Sequence, residues 1–454
     1  MKSTGRAPIV AVLLPALLLV ATPAGAQTDS LDACVAALRR DLPRHPEVSR
    51  RTFDTFTRDA EDLRPRILEA SRNQPEFVLP IWDYTARLVD RERIDDGRAI
   101  LRSRSAPLQA IAMTHRVDAA TIVAVFGVET DYGRIQGRYR VVDATLGRAC
   151  LDVRNAELKR HFFAALWLLQ QHLVRPDDFR GSWAGAFGLT QFMPATFVEH
   201  MADGDASGTI DIVGNPLDAL ATTARYIAAL GWSDGLRWGV EVSVPRSMDP
   251  RLIASEAGHA CLASGGADRH PGAKCRTVAQ WVALGVKSLA DAPATVTTDG
   301  STALPLQTPS ALLAPAGIDG PTWLVTRNYR AIWHYNRADA YALSIGLLAD
   351  ALRGDPPVHA PWPTDDPGLS RAELRQLQEE LVRQGYAKIV PDGYDGPLTR
   401  AAVKSEERAR GWPETGRPGR RIAQALRESS GRSPQRPPAS GEDGPPHLPG
   451  LVSQ

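Results

Sequence analysis

Apolar residues in the first half of the chain recur every three to four positions, the spacing that gathers them on one face of an α-helix. This periodicity predicts helices over residues 31–41, 46–57, 61–71, 79–88 and 94–115, and a strongly apolar one over 156–172. Past residue 236 the pattern shortens to alternating runs such as VEVSV and ATVTT, broken by Gly and Pro, which predict a small mixed β insertion at about 236–326. Trp281 and Trp323 in that insertion read as packed core. A Pro-rich stretch at 353–367 predicts a stiff, extended linker, three short helical patterns fill 368–428, and the Ser/Pro/Gly-rich tail 429–454 predicts disorder. The fold class is mainly α (α+β), a helical core with a β insertion and a separate C-terminal domain.

One helix carries candidate chemistry. In DAATIVAVFGVETDYGR (118–134), Asp118 is a ready N-cap and Gly133 the expected stop. Ile122, Val125 and Phe126 precede Glu129 by seven, four and three positions, so a helix puts this glutamate in line with its apolar stripe. Burial and the negative end of the helix both disfavour the carboxylate and push its pKa upward, and a carboxyl that keeps its proton near neutral pH suits a general acid. The plainer alternative is a rim glutamate paired with Arg134 or Arg138.

Composition narrows the setting. The 454 residues exceed one ordinary domain, and 53 Lys plus Arg against 52 Asp plus Glu create no field that would draw nucleic acid. Residues 1–26 join a basic start to a short apolar run and Ala24-Gly25-Ala26, the pattern of a secretory signal peptide, so a mature chain from Gln27 is expected in the periplasm or outside the cell. No apolar stretch suggests a transmembrane helix, and no cysteine at the cleavage point suggests a lipid. Cys34, Cys150, Cys261 and Cys275 lack a CxxC spacing and read as disulfides in an exported chain. Of three pairings, Cys261 with Cys275 is favoured as local, leaving Cys34 with Cys150; free buried thiols are the alternative. His115, His161 and His172 have no metal-ligand spacing and read as surface or core-edge residues.

Between 181 and 232, closely spaced Gly181, Gly185 and Gly188 suggest a backbone that turns tightly or lets a ligand approach. Downstream, Asp203, Asp205, Ser207 and Asp211 fall at positions one, three, five and nine of an EF-hand-like loop with Gly208 at six. A structural Ca2+ is a candidate there; a metal-free Asp/Gly turn is the alternative, and position twelve is Gly214 instead of glutamate.

Taken together and in order, VETDYGR, GSWAGAFGLTQFMPATF, DGDASGTID, NPLDAL and YIAALGW resemble the B-type lytic murein transglycosylases of bacteria, and the resemblance continues in NYRAIWHYNRADAYALSIGLLAD. It implies a lysozyme-like catalytic domain over 27–352 acting on peptidoglycan glycan strands, endo or exo, with no required cofactor. It places Glu129 as the single acid/base, Ser182 and Gln191 in a glycan-contacting loop, and Tyr226, Tyr335, Asn336, Tyr341 and Tyr84 along the groove. Thr190 stands where the family often has proline. Residues 368–428, with Asp392, Gly393, Gly396 and Thr399, resemble a three-helix peptidoglycan-binding module, although Ser405 or Glu406 stands where its second helix usually has an aromatic. Proteins of wall synthesis or division are candidate partners.

A retaining glycosidase needs two carboxyl groups about 5–5.5 Å apart and an inverting one about 6.5–9.5 Å apart. One convincing carboxylate is found. Substrate-assisted attack by the N-acetyl carbonyl removes the need for a second, and closure of a 1,6-anhydro ring without water is what the resemblance implies. A lysozyme-type hydrolase using Asp131 or Asp143, and a non-catalytic peptidoglycan-binding scaffold, are the alternatives.

Overall fold

Capping side chains and prolines set where most helices begin. In the computed structural model, which describes residues 30–254, 261–262, 274–289 and 304–430, the chain divides into two units: 1–78 with 97–236, and 79–96 with 237–454. The signal-like segment 1–26, the ATVTT run and the tail beyond 430 lie outside the described residues. No single described helix is long and apolar enough to cross a membrane.

The first unit is helical. Ser30 caps Leu31–Asp41, Ser49 caps Arg50–Thr57, and Asn155 caps Ala156–Gln170, each side chain accepting a first-turn amide. Two predicted helices start later than their apolar spacing suggests, because Ser49 and Pro65 fix the entries of Arg50–Thr57 and Arg64–Arg72. The single helix expected over 94–115 is instead two, Arg91–Ser103 and Ser105–His115. Pro107 supplies the reason: its ring meets the carbonyl four residues back, at Ser103, and it offers no amide. Ala156–Gln170 buries Phe162, Phe163, Leu166 and Leu169 and packs on Val141–Leu151 and Pro194–His200. A disulfide between Cys34 and Cys150 ties Leu31–Asp41 to Val141–Leu151, with Cα atoms 5.7 Å apart.

The second unit holds the mixed sheet. Its order is Ile253–Ala254, Pro309–Leu313, Thr322–Val325, Gly239–Ser243, Lys287–Ser288, with Cys275–Thr277 also paired to Pro309–Leu313. Among the described strands, only Ile253–Ala254 with Pro309–Leu313 is a parallel pair. Trp281 and Trp323 are core, as expected, at 0% and 2% exposed. Cys261 bonds Cys275, so both pairings favoured from the sequence are present. Helices Arg327–Asn336 and Asp339–Arg353 follow, the latter letting the Trp238 ring lie against Gly346, where a Cβ would fall 2.6 Å from the indole.

The C-terminal module has three helices, Arg371–Arg383, Pro397–Ala409 and Arg420–Ser430, closed over Leu374, Leu377, Leu381, Val403, Ile422 and Leu426. A stiff, extended linker is expected before it, with no anchor along its length. Instead, the backbone amides of His359 and Ala360 donate to Glu241, both at 2.9 Å, and Trp362 packs between Trp82 and Trp323. The module itself is clamped to residues 79–96. Arg417 holds Asp83 through two bonds of 2.5 and 2.7 Å, Arg371 holds Asp90, Arg375 holds Glu92, and Arg87 holds Asp395. Three acids on 79–96 meet arginines of the module, and Arg87 meets an acid of the module in the reverse sense, so ion pairs of both polarities dock it.

Candidate active site

Asp118 begins helix Ala119–Thr130 by accepting from the Thr121 amide at 3.0 Å. The helix is not amphipathic as the spacing suggested. Ala120 to Gly127 and Thr130 are all buried, while Val128 and Glu129 are half-buried, so Glu129 emerges at the end of a helix sunk in the core.

That helix also stops three residues before the expected glycine. Asp131, Tyr132 and Gly133 take φ of 51°, 59° and 91°, and two successive non-glycine residues in this region cost about 1–2 kcal/mol each. Local contacts hold the turn. The Tyr132 ring lies over Gly127, where a Cβ would come within 2.7 Å of it, and meets Phe126 edge-on at 5.6 Å. Thr130 donates its hydroxyl to the Leu189 carbonyl at 2.5 Å and accepts from the Gly133 amide at 3.0 Å, which anchors the residue next to Glu129 to the Gly-rich loop. Asp131, 4% exposed, faces Arg134 at 3.3 Å.

The Gly-rich loop is built by close backbone approach. A Cβ on Gly137 would fall 2.2 Å from Gly181, and one on Gly181 would fall 2.0 Å from the Ala186 carbonyl oxygen, so only glycine fits either place. Ser182 Oγ accepts from the Ala184 and Ala186 amides at 3.3 and 3.1 Å, which leaves its O–H available to donate. Gln191, at φ 51°, spends both amide protons on the Gln136 and Gly188 carbonyls and keeps its carbonyl oxygen as an acceptor. Tyr226 is half-buried on Pro216–Ala229, against Phe192 and His200. Glu129, Ser182, Gln191 and Tyr226 thus belong to the first unit.

Tyr84, Tyr335, Asn336 and Tyr341 belong to the second. Tyr335 stacks on Tyr341 with centroids 6.3 Å apart. Tyr335 and Asn336 are half-buried, whereas Tyr341 at 2% and Tyr84 at 9% exposure offer a ligand little more than an edge.

The acidic loop supports the Gly-rich one, since the Leu189 amide donates to the Ile212 carbonyl at 2.8 Å. Its carboxylates do not converge as the EF-hand spacing suggested. Asp203 and Asp205 gather with Asp218, their oxygens within 4.8 Å of one another. Ser207 instead bonds Thr209, and Asp211 caps its own turn by accepting from Val213 and Gly214. Asp218 is fully buried, and burial, together with Asp205 and Asp203, raises its pKa against the amides of Asp211 and Gly204. Three gathered carboxylates, one of them buried, are oxygen donors of the kind a hard cation takes. Asp218 was missed because it lies in NPLDAL, beyond the twelve-residue loop, in the first turn of a helix.

Residues 30–350 match the family described as Transglycosylase SLT domain. The chain belongs to this family. Residues 370–426 match a peptidoglycan binding domain. Among solved structures, SltB3 of Pseudomonas aeruginosa, in complex with NAG-anhNAM-pentapeptide, is 33% identical, with 88% of this chain and 100% of that chain covered and a TM-score of 0.63. Membrane-bound lytic murein transglycosylase B of Escherichia coli (strain K12) is 28% identical over 153 residues, which span 34% of this chain and 42% of that relative's length. Escherichia coli Slt35, solved in complex with calcium, shares the fold at 21% identity and a TM-score of 0.56, over 70% of this chain and 92% of that one. This SLT-domain chain is therefore homologous to lytic transglycosylases.

Proposed function

We propose that the chain cleaves the β-1,4 bond between N-acetylmuramic acid and N-acetylglucosamine in peptidoglycan without water, with Glu129 as the only acid/base. The observation that carries this reading is the half-buried carboxyl of Glu129 at the end of a buried helix, beside a loop with a hydroxyl donor at Ser182 and an acceptor at Gln191. Glu129 protonates the glycosidic oxygen while the N-acetyl carbonyl attacks the anomeric carbon and displaces it. The resulting carboxylate then takes the C6 hydroxyl proton, and O6 closes the 1,6-anhydro ring as the carbonyl leaves. The two acids that a second role would call on each face an arginine: Asp131 faces Arg134, and Asp143, 1% exposed, faces Arg140. That arrangement favours the single-carboxylate route over a lysozyme-type hydrolase. The complex of SltB3 with an anhydro-muramyl product agrees with it.

The C-terminal module supplies a second hold on the polymer, the leader at 1–26 directs export to the periplasm, and Asp203, Asp205 and Asp218 hold a calcium ion that stiffens the loop behind Leu189. Slt35 was solved with calcium, in line with the last point. The reading is tested by incubating purified peptidoglycan with the chain and with Glu129→Gln. Soluble fragments from the first and none from the second are expected; equal release by both would remove Glu129 from the chemistry.

A further inference from the structure

Two arginines face each other across the short ladder that leads into the Gly-rich loop. The antiparallel register pairs Arg140 with Arg180 and Tyr139 with Gly181. Like charges directly opposite each other destabilise a ladder, so this placement works against the fold. The two side chains flank a cleft of about 280 Å³ floored by Phe56 and Phe179. Arg140 is partly committed, to the Asp59 carbonyl and to Asp143, both at 3.3 Å. Arg180 is exposed and donates only to the Arg138 carbonyl, at 3.1 Å; among the described residues no carboxylate lies within ion-pair distance of it. A guanidinium carries five N–H donors, so most of these donors remain for a ligand. One acid, Asp177, also lines the cleft; it is exposed, where water and salt screen it.

We infer that Arg140 and Arg180 form a carboxylate subsite for the peptide borne by the muramic acid sugar. Planar, paired guanidinium donors match a carboxylate better than they match neutral sugar hydroxyls. Position supports the assignment as well: the ladder ends at Gly181, and the next residue is Ser182, so the cleft adjoins the Gly-rich loop along the chain. The apolar floor gives the side chains of that peptide a surface. This inference rests on the glycan-cleavage reading above and adds to it what distinguishes a peptide-bearing strand from a bare one.

The test compares turnover on glycan strands that carry their peptides, on strands stripped by an amidase, and on chitin oligomers that have no carboxylate. Arg180→Gln should raise the ratio of KM on peptide-bearing strands to KM on stripped strands by about tenfold, the loss of one charge-assisted contact, and Arg180→Lys should recover part of it. Unchanged KM values on both kinds of strand would overturn the subsite. An equal rise on stripped strands, whose lactyl group bears the freed carboxylate, would assign the anion to the sugar and overturn the peptide assignment. If the unaltered chain cleaves none of the three and releases nothing from intact peptidoglycan, the glycan-cleavage reading fails and the subsite falls with it.

Discussion

Replacing Asp83 by alanine separates a docked C-terminal module from one that is only tied on by the chain. Asp83 is 1% exposed and takes two bonds from Arg417, at 2.5 and 2.7 Å. Removing one partner of a buried pair costs about 3–5 kcal/mol, because the charge left behind keeps its desolvation. The lower figure applies here, since the Arg417 side chain is 24% exposed and Asp366 remains beside it. About 3 kcal/mol is roughly a hundredfold change in the undocked population. Proteolysis reads that population when opening is fast compared with cleavage. Cleavage within 353–367 should therefore accelerate about a hundredfold in Asp83→Ala, with cuts elsewhere in the chain as the internal control. Arg375→Gln, which breaks the more exposed pair with Glu92, should accelerate it less than about fivefold. If Asp83→Ala stays within about threefold of the unaltered chain, the ion pairs do not hold the module and the docking argument is refuted.

Three further outcomes follow from the structure. Burial pushes the Asp143 carboxyl up to about 6 from 3.8, against the pull of Arg140. The folded state thus binds this proton more tightly than the unfolded one, and the contribution is complete below pH 4 and lost as pH rises through 6; at about 1.36 kcal/mol per unit it amounts to about 3 kcal/mol. Asp143→Asn should gain stability relative to the unaltered chain between pH 4.5 and 7.5 in denaturant titrations, and a pH-independent difference would contradict this. Loop closure over a separation of 116 residues makes Cys34–Cys150 worth about 5 kcal/mol, against about 3 for the separation of 14 at Cys261–Cys275, so the double serine variants should differ in that order by calorimetry. Calcium at a hundred times its Kd should add about 2.7 kcal/mol, seen as a rise in Tm over the chelated protein that Asp205→Asn abolishes; an unmoved Tm would dispose of the site.

Local signals in the sequence located the helices well, because caps and prolines act within a turn: Ser30, Asp118 and Asn155 each bond an amide two or three residues on. The setting of Glu129 differs from the one its spacing suggests. Its helix is apolar on every face and buried on nearly all, so no stripe exists for it to join, and the glutamate marks where the helix meets the surface. Partners far apart in the chain were not legible. Asp83 and Arg417 are separated by 334 positions, and nothing local distinguishes either from an ordinary surface charge. Asp218 was hidden by looking for metal ligands inside a twelve-residue loop when the third carboxylate arrives from the following helix. The ladder of Tyr139–Arg140 with Arg180–Gly181 has two residues per strand, too few to show alternation, so the facing arginines emerged only from the register.

The central claim is that one carboxyl, Glu129, breaks a glycosidic bond and closes a ring without water. Mass spectrometry of the fragments released from purified peptidoglycan tests it most directly. Ends lighter by one water than their hydrolysed counterparts, absent with Glu129→Gln, are what the account predicts; reducing ends of full mass would show that water attacks and that a second carboxylate takes part.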